Sequence, residues 1–330
     1  MRIVLMGDLH YAYRLKTRSG RLMALKEHVF MRLIQHFMRV TGDFYISIGD
    51  LTNEGTRDEL EQMYSWLSHL EGRFIHVLGN HDTLTLPKKE LMSIMTGSPM
   101  SGSPERVIET ELARIIILDT TKERSWYDWG GTLTADSLDW LEEMVHTTER
   151  RRAVFVFAHH PVYLTTARSN KRMQAIDPAL SLRNILGKRP GLNVFFSGHN
   201  HVHSIVREDA WYHVQTAAVL DTLTYRLIEW DGLHFSIKLV PAGPASLFHD
   251  ILRFSRHIRG FSLVGKNRLA LGAWWDTFLM VEHEVERSIL SLNTVSASTR
   301  LADALAAEFE STMTDDQRAV SVAFDSLRMG

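Results

Sequence analysis

The stretch Val194–His203, VFFSGHNHVH, decides how this chain is read. An apolar run ends in Ser197-Gly198, and His199, His201 and His203 follow at alternate positions. A neutral imidazole carries a lone pair that can take a metal at neutral pH. A strand end rich in histidine is not by itself a site, so the test is whether other apolar runs end alike. Four do. IVLM (from Ile3) is followed by Gly7-Asp8-Leu9-His10. ISI (from Ile46) is followed by Gly49-Asp50-Leu51-Thr52-Asn53. FIHVL (from Phe74) runs into Gly79-Asn80-His81-Asp82, and VFVFA (from Val154) into His159-His160-Pro161. Ligands of open α/β sheets sit beyond the carboxyl ends of the strands, so these residues are expected to converge.

The intervening segments have helical spacing at 21–40, 57–71 and 178–188, and TADSLDWLEEMV opens on Thr134 as an N-cap. Alternating strand and helix predicts a layered α/β fold with a largely parallel central sheet. After His203 the pattern changes to period two in SIVRE, WYHVQTA, TYRLIEW and LHFSIKL, with a hairpin turn at Asp231-Gly232. PAGP at 241–244 punctuates the chain. The expected division is a domain over 1–244 and a helical extension over 245–330, serving as a cap or in homo-oligomerisation. Trp274 and Trp275 read as packing or an oligomer contact.

The bulk numbers narrow the chemistry. A net charge of −2 over 330 residues supplies no basic field for nucleic acid or membrane. The chain has no cysteine, so any metal must be held by oxygen and imidazole, and 17 histidines are available. Such donors favour Mn, Fe or Zn. No run of apolar residues is long enough to span a bilayer, and the first residues lack a signal-peptide core. The expected location is cytoplasmic.

Each block alone has a bland reading: Asp and Asn in turns and caps, His in a core or loop. The bland account must hold at five places together. His28, His36, His76, His203 and His213 lack such companions and read as surface or core residues.

The blocks Asp-x-His, Gly-Asp-x-x-Asn, Gly-Asn-His-Asp, His-x-Pro and Gly-His-x-His, in that order, resemble the calcineurin-like metallophosphoesterase family. The resemblance covers roughly 1–240. GDLTNEG, GTLTADSLDWLEE, AHHPV, AIDP and GHNH resemble most the branch of cyclic-nucleotide phosphodiesterases and glycerophosphodiesterases. The resemblance implies a β-sandwich flanked by helices and two divalent or mixed-valence metal ions. Carried over by position, Asp8, His10 and His201 would bind one ion, Asn80, His159 and His199 the other, and Asp50 would bridge them. His81 would stand unligated near the leaving group as the catalytic histidine. Asn53 departs from the phosphoprotein-phosphatase pattern, which has an aspartate there to orient that histidine.

The implied activity is hydrolysis of a small phosphodiester by metal-activated hydroxide. The rivals are a phosphomonoesterase on the same site and a non-catalytic metal-binding scaffold. His160 and Arg168 are candidate substrate contacts, Arg168 lying in a loop with Lys171 and Arg172 that reads equally as a solvated connection. Leu86–Arg106 reads as a lid or an ordinary connection.

Overall fold

The computed structural model describes residues 1–97, 103–263 and 268–282. Twelve strands and eight α-helices are described. The strands are β1 (Arg2–Met6), β2 (Phe44–Ser47), β3 (Phe74–His76), β4 (Arg106–Glu109), β5 (Ala113–Leu118), β6 (Ala153–Ala158), β7 (Asn193–Ser197), β8 (Ser204–Glu208), β9 (Trp211–Gln215), β10 (Thr224–Trp230), β11 (His234–Pro241) and β12 (Phe278–Glu282). The helices are α1 (Gly20–Arg39), α2 (Arg57–Leu67), α3 (Lys88–Thr96), α4 (Ala135–His146), α5 (Leu182–Leu186), α6 (Val219–Thr222), α7 (Ser246–Phe254) and α8 (Arg268–Leu271).

The strands form two six-stranded sheets, not one central sheet. The first runs β12-β11-β10-β1-β2-β3 and the second β4-β5-β6-β7-β9-β8. The single sheet expected from strand–helix alternation is thereby corrected, and the reason lies in the apolar runs. Each is buried on both faces, so parity divides its side chains between two partners. In β6, Phe155 and Phe157 enter the core between the sheets, while Val154, Val156 and Ala158 face the layer containing Leu141 and Val145 of α4. In β1, Ile3 and Leu5 point into that shared core, and Val4 and Met6 meet Val29, Phe30 and Leu33 of α1. A fully buried phenylalanine contributes about 1.5–3 kcal/mol, so this two-sided burial dominates the stability of the sandwich.

Within each sheet the central strands are parallel: β1-β2-β3 in one, β5-β6-β7-β9 in the other. Their carboxyl ends bring the strand-end blocks to one region. The period-two segments pair antiparallel, β8 with β9 and β10 with β11, and Gly232 (φ +98°) makes the expected turn. Helix starts follow their caps. Ser19 accepts from Leu22 N at 3.3 Å, and Thr134 from Ser137 N at 3.1 Å. Thr56 and Glu59 form a reciprocal capping box on α2.

The chain beyond residue 244 is not purely helical, which corrects the expected extension. Helix α7 lies against α1, with Phe254 5.6 Å from Phe30. Strand β12 pairs antiparallel with β11, Lys238 opposite Phe278. Residues Met1–His283 are one compact unit. FLMVE at 278–282 is too short for periodicity to separate strand from helix. The remainder of the expected extension, with its cap or oligomer role, lies outside the described residues. Trp274 and Trp275 are 77% and 57% exposed. Leu86–Arg106 holds α3 and ends on the first residue of β4, and residues 98–102 lie outside the described residues. Among the described residues, no helix is long and apolar enough to cross a membrane.

Candidate metal centre

The strand ends meet. Asp8 and His10 follow β1, Asp50 follows β2, and Asn80 and His81 follow β3. His159 follows β6, and His199 and His201 follow β7. The first five thus come from one sheet and the last three from the other. The backbone bends sharply to deliver them. His10, Asp50, His199 and His201 all hold positive φ, at 52°, 49°, 68° and 56°. Such a conformation costs a non-glycine residue roughly 1–2 kcal/mol. Strain of this kind gathers where the surrounding fold fixes a functional geometry. The flanking glycines are there for space: a Cβ on Gly198 would lie 2.3 Å from Asp8 Oδ1, and one on Gly49 (φ +105°) 2.3 Å from His159 Nδ1.

Hydrogen bonds to carbonyls fix the ring tautomers, since a carbonyl only accepts. His159 Nδ1–H donates to Ile48 O at 3.0 Å, so Nε2 is the nitrogen left to face the centre. That nitrogen faces Asp50 Oδ2 at 3.3 Å and Asn80 Oδ1 at 3.1 Å. His199 Nε2–H donates to Met173 O at 2.9 Å, and its Nδ1 faces His159 Nε2 at 3.3 Å. Two imidazole nitrogens, a carboxylate oxygen and an amide oxygen therefore meet at one place.

A second group lies beside it. His201 Nδ1 is 3.3 Å from Asp221 Oδ2, and its Nε2 faces Asp8 Oδ2 at 3.2 Å and His10 Nε2 at 3.0 Å. Asp8 Oδ1 is buried without a hydrogen-bond partner. His10 Nε2 is 3.8 Å from Asp50 Oδ2, so Asp50 stands between the groups. Converging acceptors with an orphaned carboxylate oxygen fit cations, and oxygen with imidazole donors fits Mn, Fe or Zn.

The electrostatics agree. Burial alone would lower every imidazole here. Asp50 and Asp8 nevertheless hold His159 up at about 9, and Asp221 and Asp8 hold His201 up at about 10. His10 is driven well below its usual range by burial and by His81, and His199 falls to about 3 through burial and His159. Asp50 is held well below the carboxylate range against its own burial, chiefly by His159. The carboxylates thus favour positive charge at the centre of each group.

His81 sits at the edge, its ring 4.6 Å from that of His10. Its Nδ1–H donates to the Asn53 backbone carbonyl at 2.6 Å, and its N–H to Asp50 Oδ1 at 2.8 Å. The Asn53 amide instead donates to Arg259 O at 2.8 Å. Asp82 braces the loop, accepting from Thr52 N and Gly79 N, both at 2.9 Å. Arg168 Nη1 donates to Asn200 O at 3.3 Å, between His199 and His201. With Lys171, Val202 and Leu263 it lines a cavity of about 520 Å³. His160 lies close to His159 and His199, its ring 4.9 Å and 4.3 Å from theirs. It is fully buried, with Nδ1 on Thr120 Oγ1 and Nε2 on Trp129 O, both at 2.8 Å.

Asp221, Phe261 and the carbonyls of Met173 and Asn53 escape the sequence reading. Asp221 is a lone carboxylate in the apolar AAVLDTL, which is the only signal it leaves. Phe261 packs its ring 4.8 Å from His10 and 5.7 Å from His201. Backbone carbonyls leave no trace in residue types.

A family model described as calcineurin-like phosphoesterase matches residues 1–203. A probable cyclic nucleotide phosphodiesterase of Synechococcus is 27% identical over 161 residues, 48% of this chain and 58% of that protein. A probable glycerophosphodiester phosphodiesterase of Arcobacter nitrofigilis is 27% identical over 166 residues, 49% of this chain and 57% of that protein. The chain therefore spans under two thirds of the curated relatives it matches. Among solved structures, a dimetal phosphatase from Danio rerio is similar at TM-score 0.57 and 14% identity, covering 74% of this chain and 96% of that one. A purple acid phosphatase from yellow lupin seeds is similar at TM-score 0.50 and 13% identity, covering 80% and 57%. These two likenesses bear on the fold alone. Taken with the matched sequence blocks and their convergence at one end of a two-sheet sandwich, they lead to one conclusion: the chain belongs to the calcineurin-like phosphoesterase family.

Proposed function

We propose that the chain hydrolyses a phosphodiester with two metal ions. Asp8, His10 and His201 would hold one, Asn80, His159 and His199 the other, with Asp50 between them. The observation that carries this reading is the convergence of acceptors on His159 Nε2, namely Asp50 Oδ2, Asn80 Oδ1 and His199 Nδ1, all within 3.3 Å. When bound, a pair of Mn, Fe or Zn ions lowers the pKa of water toward neutrality and offsets negative charge on phosphoryl oxygens.

The chain's own groups supply the rest. Hydroxide attack at phosphorus expels an alkoxide on the opposite side, and that oxygen needs a proton. His81 would be the donor with both ring nitrogens protonated: its Nδ1–H is committed to Asn53 O, and the proton on Nε2 would pass to the leaving oxygen. Asp221 holds the His201 ring and Met173 O the His199 ring, which fixes the nitrogen each presents. Arg168 offers its guanidinium to the ester's anionic oxygens. Diester hydrolysis is favoured over monoester hydrolysis by the relatives' names and by the absence of an aspartate at position 53.

The test compares bis-p-nitrophenyl phosphate with p-nitrophenyl phosphate on protein of measured metal content, wild type against Asp50→Ala. Turnover favouring the diester and lost in the variant is the expected result. A large preference for the monoester would overturn the diesterase reading. A wild type that takes up no metal or turns over neither ester would favour a scaffold.

A further inference from the structure

The segment Thr121–Gly131 runs along one rim of the metal centre and is tied down at both ends. Near its start, Arg124 N–H donates to Thr83 O at 2.8 Å. The Thr83 hydroxyl lies 3.0 Å from Lys122 O and 3.3 Å from Asn80 O, so this end is fixed beside Asn80 and His81. At the far end, His160 Nε2–H donates to Trp129 O at 2.8 Å, and the His160 ring lies 4.3 Å from that of His199. Gly131 N–H then donates to Ala175 O at 3.0 Å. Between the anchors, Lys122 pairs with Asp128 at 2.5 Å and the Ser125 hydroxyl donates to Asp128 O at 2.7 Å.

This braced segment leaves three large rings in water within four consecutive residues. Trp126 is 50% exposed, Tyr127 90% and Trp129 43%. Apolar surface left in water forgoes the gain of burial, and clustered exposure marks a binding surface. The anchors set one end of the segment beside the loop that carries Asn80 and His81, and the other beside His160, whose ring lies 4.3 Å from that of His199. Base–aromatic stacking tolerates many ring identities because every base has a π-face.

We propose that Trp126, Tyr127 and Trp129 form a stacking platform for a planar aromatic ring on the phosphoester, a nucleobase or a simple aryl group. The platform rests on the phosphoester reading and sets specificity within it. It orders the ring while the phosphate engages the Asp50–His159 region, so a phosphoester with a ring binds more tightly than one without.

The test uses the full chain loaded with Mn²⁺ and titration calorimetry, with tryptophan emission as a second readout. Adenosine 5′-monophosphate is compared with ribose 5-phosphate, and phenyl phosphate with ethyl phosphate. Wild type should bind the nucleotide about tenfold or more tightly than ribose 5-phosphate, with quenching of emission. Trp126→Ala/Tyr127→Ala should bring that ratio within about twofold of unity and leave ribose 5-phosphate affinity unchanged, and Trp126→Phe/Tyr127→Phe should restore it. Preference for phenyl over ethyl phosphate assigns the platform to any aryl group, and its absence beside a nucleotide preference assigns it to bases; both support it. Equal affinities for nucleotide and sugar phosphate in wild type, or a ratio that survives the double alanine variant, would overturn the platform. Failure of wild type to bind ribose 5-phosphate at all is the separate signature of a failed phosphoester reading, and the platform falls with it.

Discussion

Replacing Asp82 with alanine should destabilise the protein by about 3–5 kcal/mol, although the residue touches neither ester nor candidate ligand atom. Its carboxylate is fully buried. It accepts from Thr52 N (2.9 Å), Thr52 Oγ1 (2.7 Å), Gly79 N (2.9 Å) and His76 Nε2 (3.0 Å), with Leu51 N further off at 3.4 Å. Alanine strands two backbone N–H groups and one imidazole N–H out of reach of water, at about 1–3 kcal/mol each. Relief of the carboxylate's own desolvation offsets part of that, which leaves the net figure near that for breaking a buried pair. In a unit of this size the melting temperature should fall by about 6–20 °C. Urea denaturation followed by tryptophan emission measures the effect, with a lower midpoint and an unchanged m-value expected. Asp82→Asn keeps an acceptor for Thr52 but turns an amide toward Gly79 N–H or His76, so it should lose about half as much. Turnover should fall alongside stability, because Thr52 and Gly79 flank Asp50 and Asn80. An alanine variant within about 1 kcal/mol of wild type would refute the claim that this carboxylate organises the two loops.

Three further outcomes are expected. Metal added at a hundredfold excess over its Kd should raise stability by about 2.7 kcal/mol, a shift of about 5–10 °C that a chelator reverses and Asp50→Ala removes. A chain ending at Pro244 should be insoluble or strongly destabilised, because it lacks Leu247, Ile251 and Phe254 of the α1 layer and the β12 edge strand; a soluble fragment with the wild-type melting temperature would contradict this. Burial, aided by Arg183, lowers His213 to about 4, whereas the unfolded imidazole titrates near 6.5. The unfolded chain then holds the extra proton between those values, so stability from this group is complete above about pH 6.5 and is lost as pH falls toward 4, about 3 kcal/mol in all. Thermal melts of His213→Leu from pH 7.5 to 4.5 should show a shallower decline than wild type, and parallel curves would exclude the linkage.

What sequence disclosed depended on whether a role resides in a residue type. The strand-end Asp, Asn and His were readable because each follows an apolar run. The two-sheet division was not readable from periodicity: Ile115, Ile116 and Ile117 alternate between two layers that are equally apolar. The His-x-Pro spacing separated His159 from His160, whereas the burial of His160 and its partners Thr120 and Trp129 left no sign in the residue types. Asn53 looked like a lost orienting group, whereas its main chain supplies the hydrogen bond to His81. Strand β12 was hidden because five residues of mixed exposure carry too little pattern to tell a strand from a helical turn.

The residues of the cluster arrive from opposite halves of the molecule: Asp8, Asp50 and Asn80 from one sheet, His159, His199 and His201 from the other. Their spacing is therefore governed by how the halves seat against each other, deep in the interior. Phe155 and Phe235 meet across that seam at 5.6 Å. A slip of one strand residue is about 3.3 Å, enough to part every cross-sheet contact of the centre. Interior side chains far from the cluster thus act as its spacers, and changing their bulk should shift Asp50 against His159 without altering either residue.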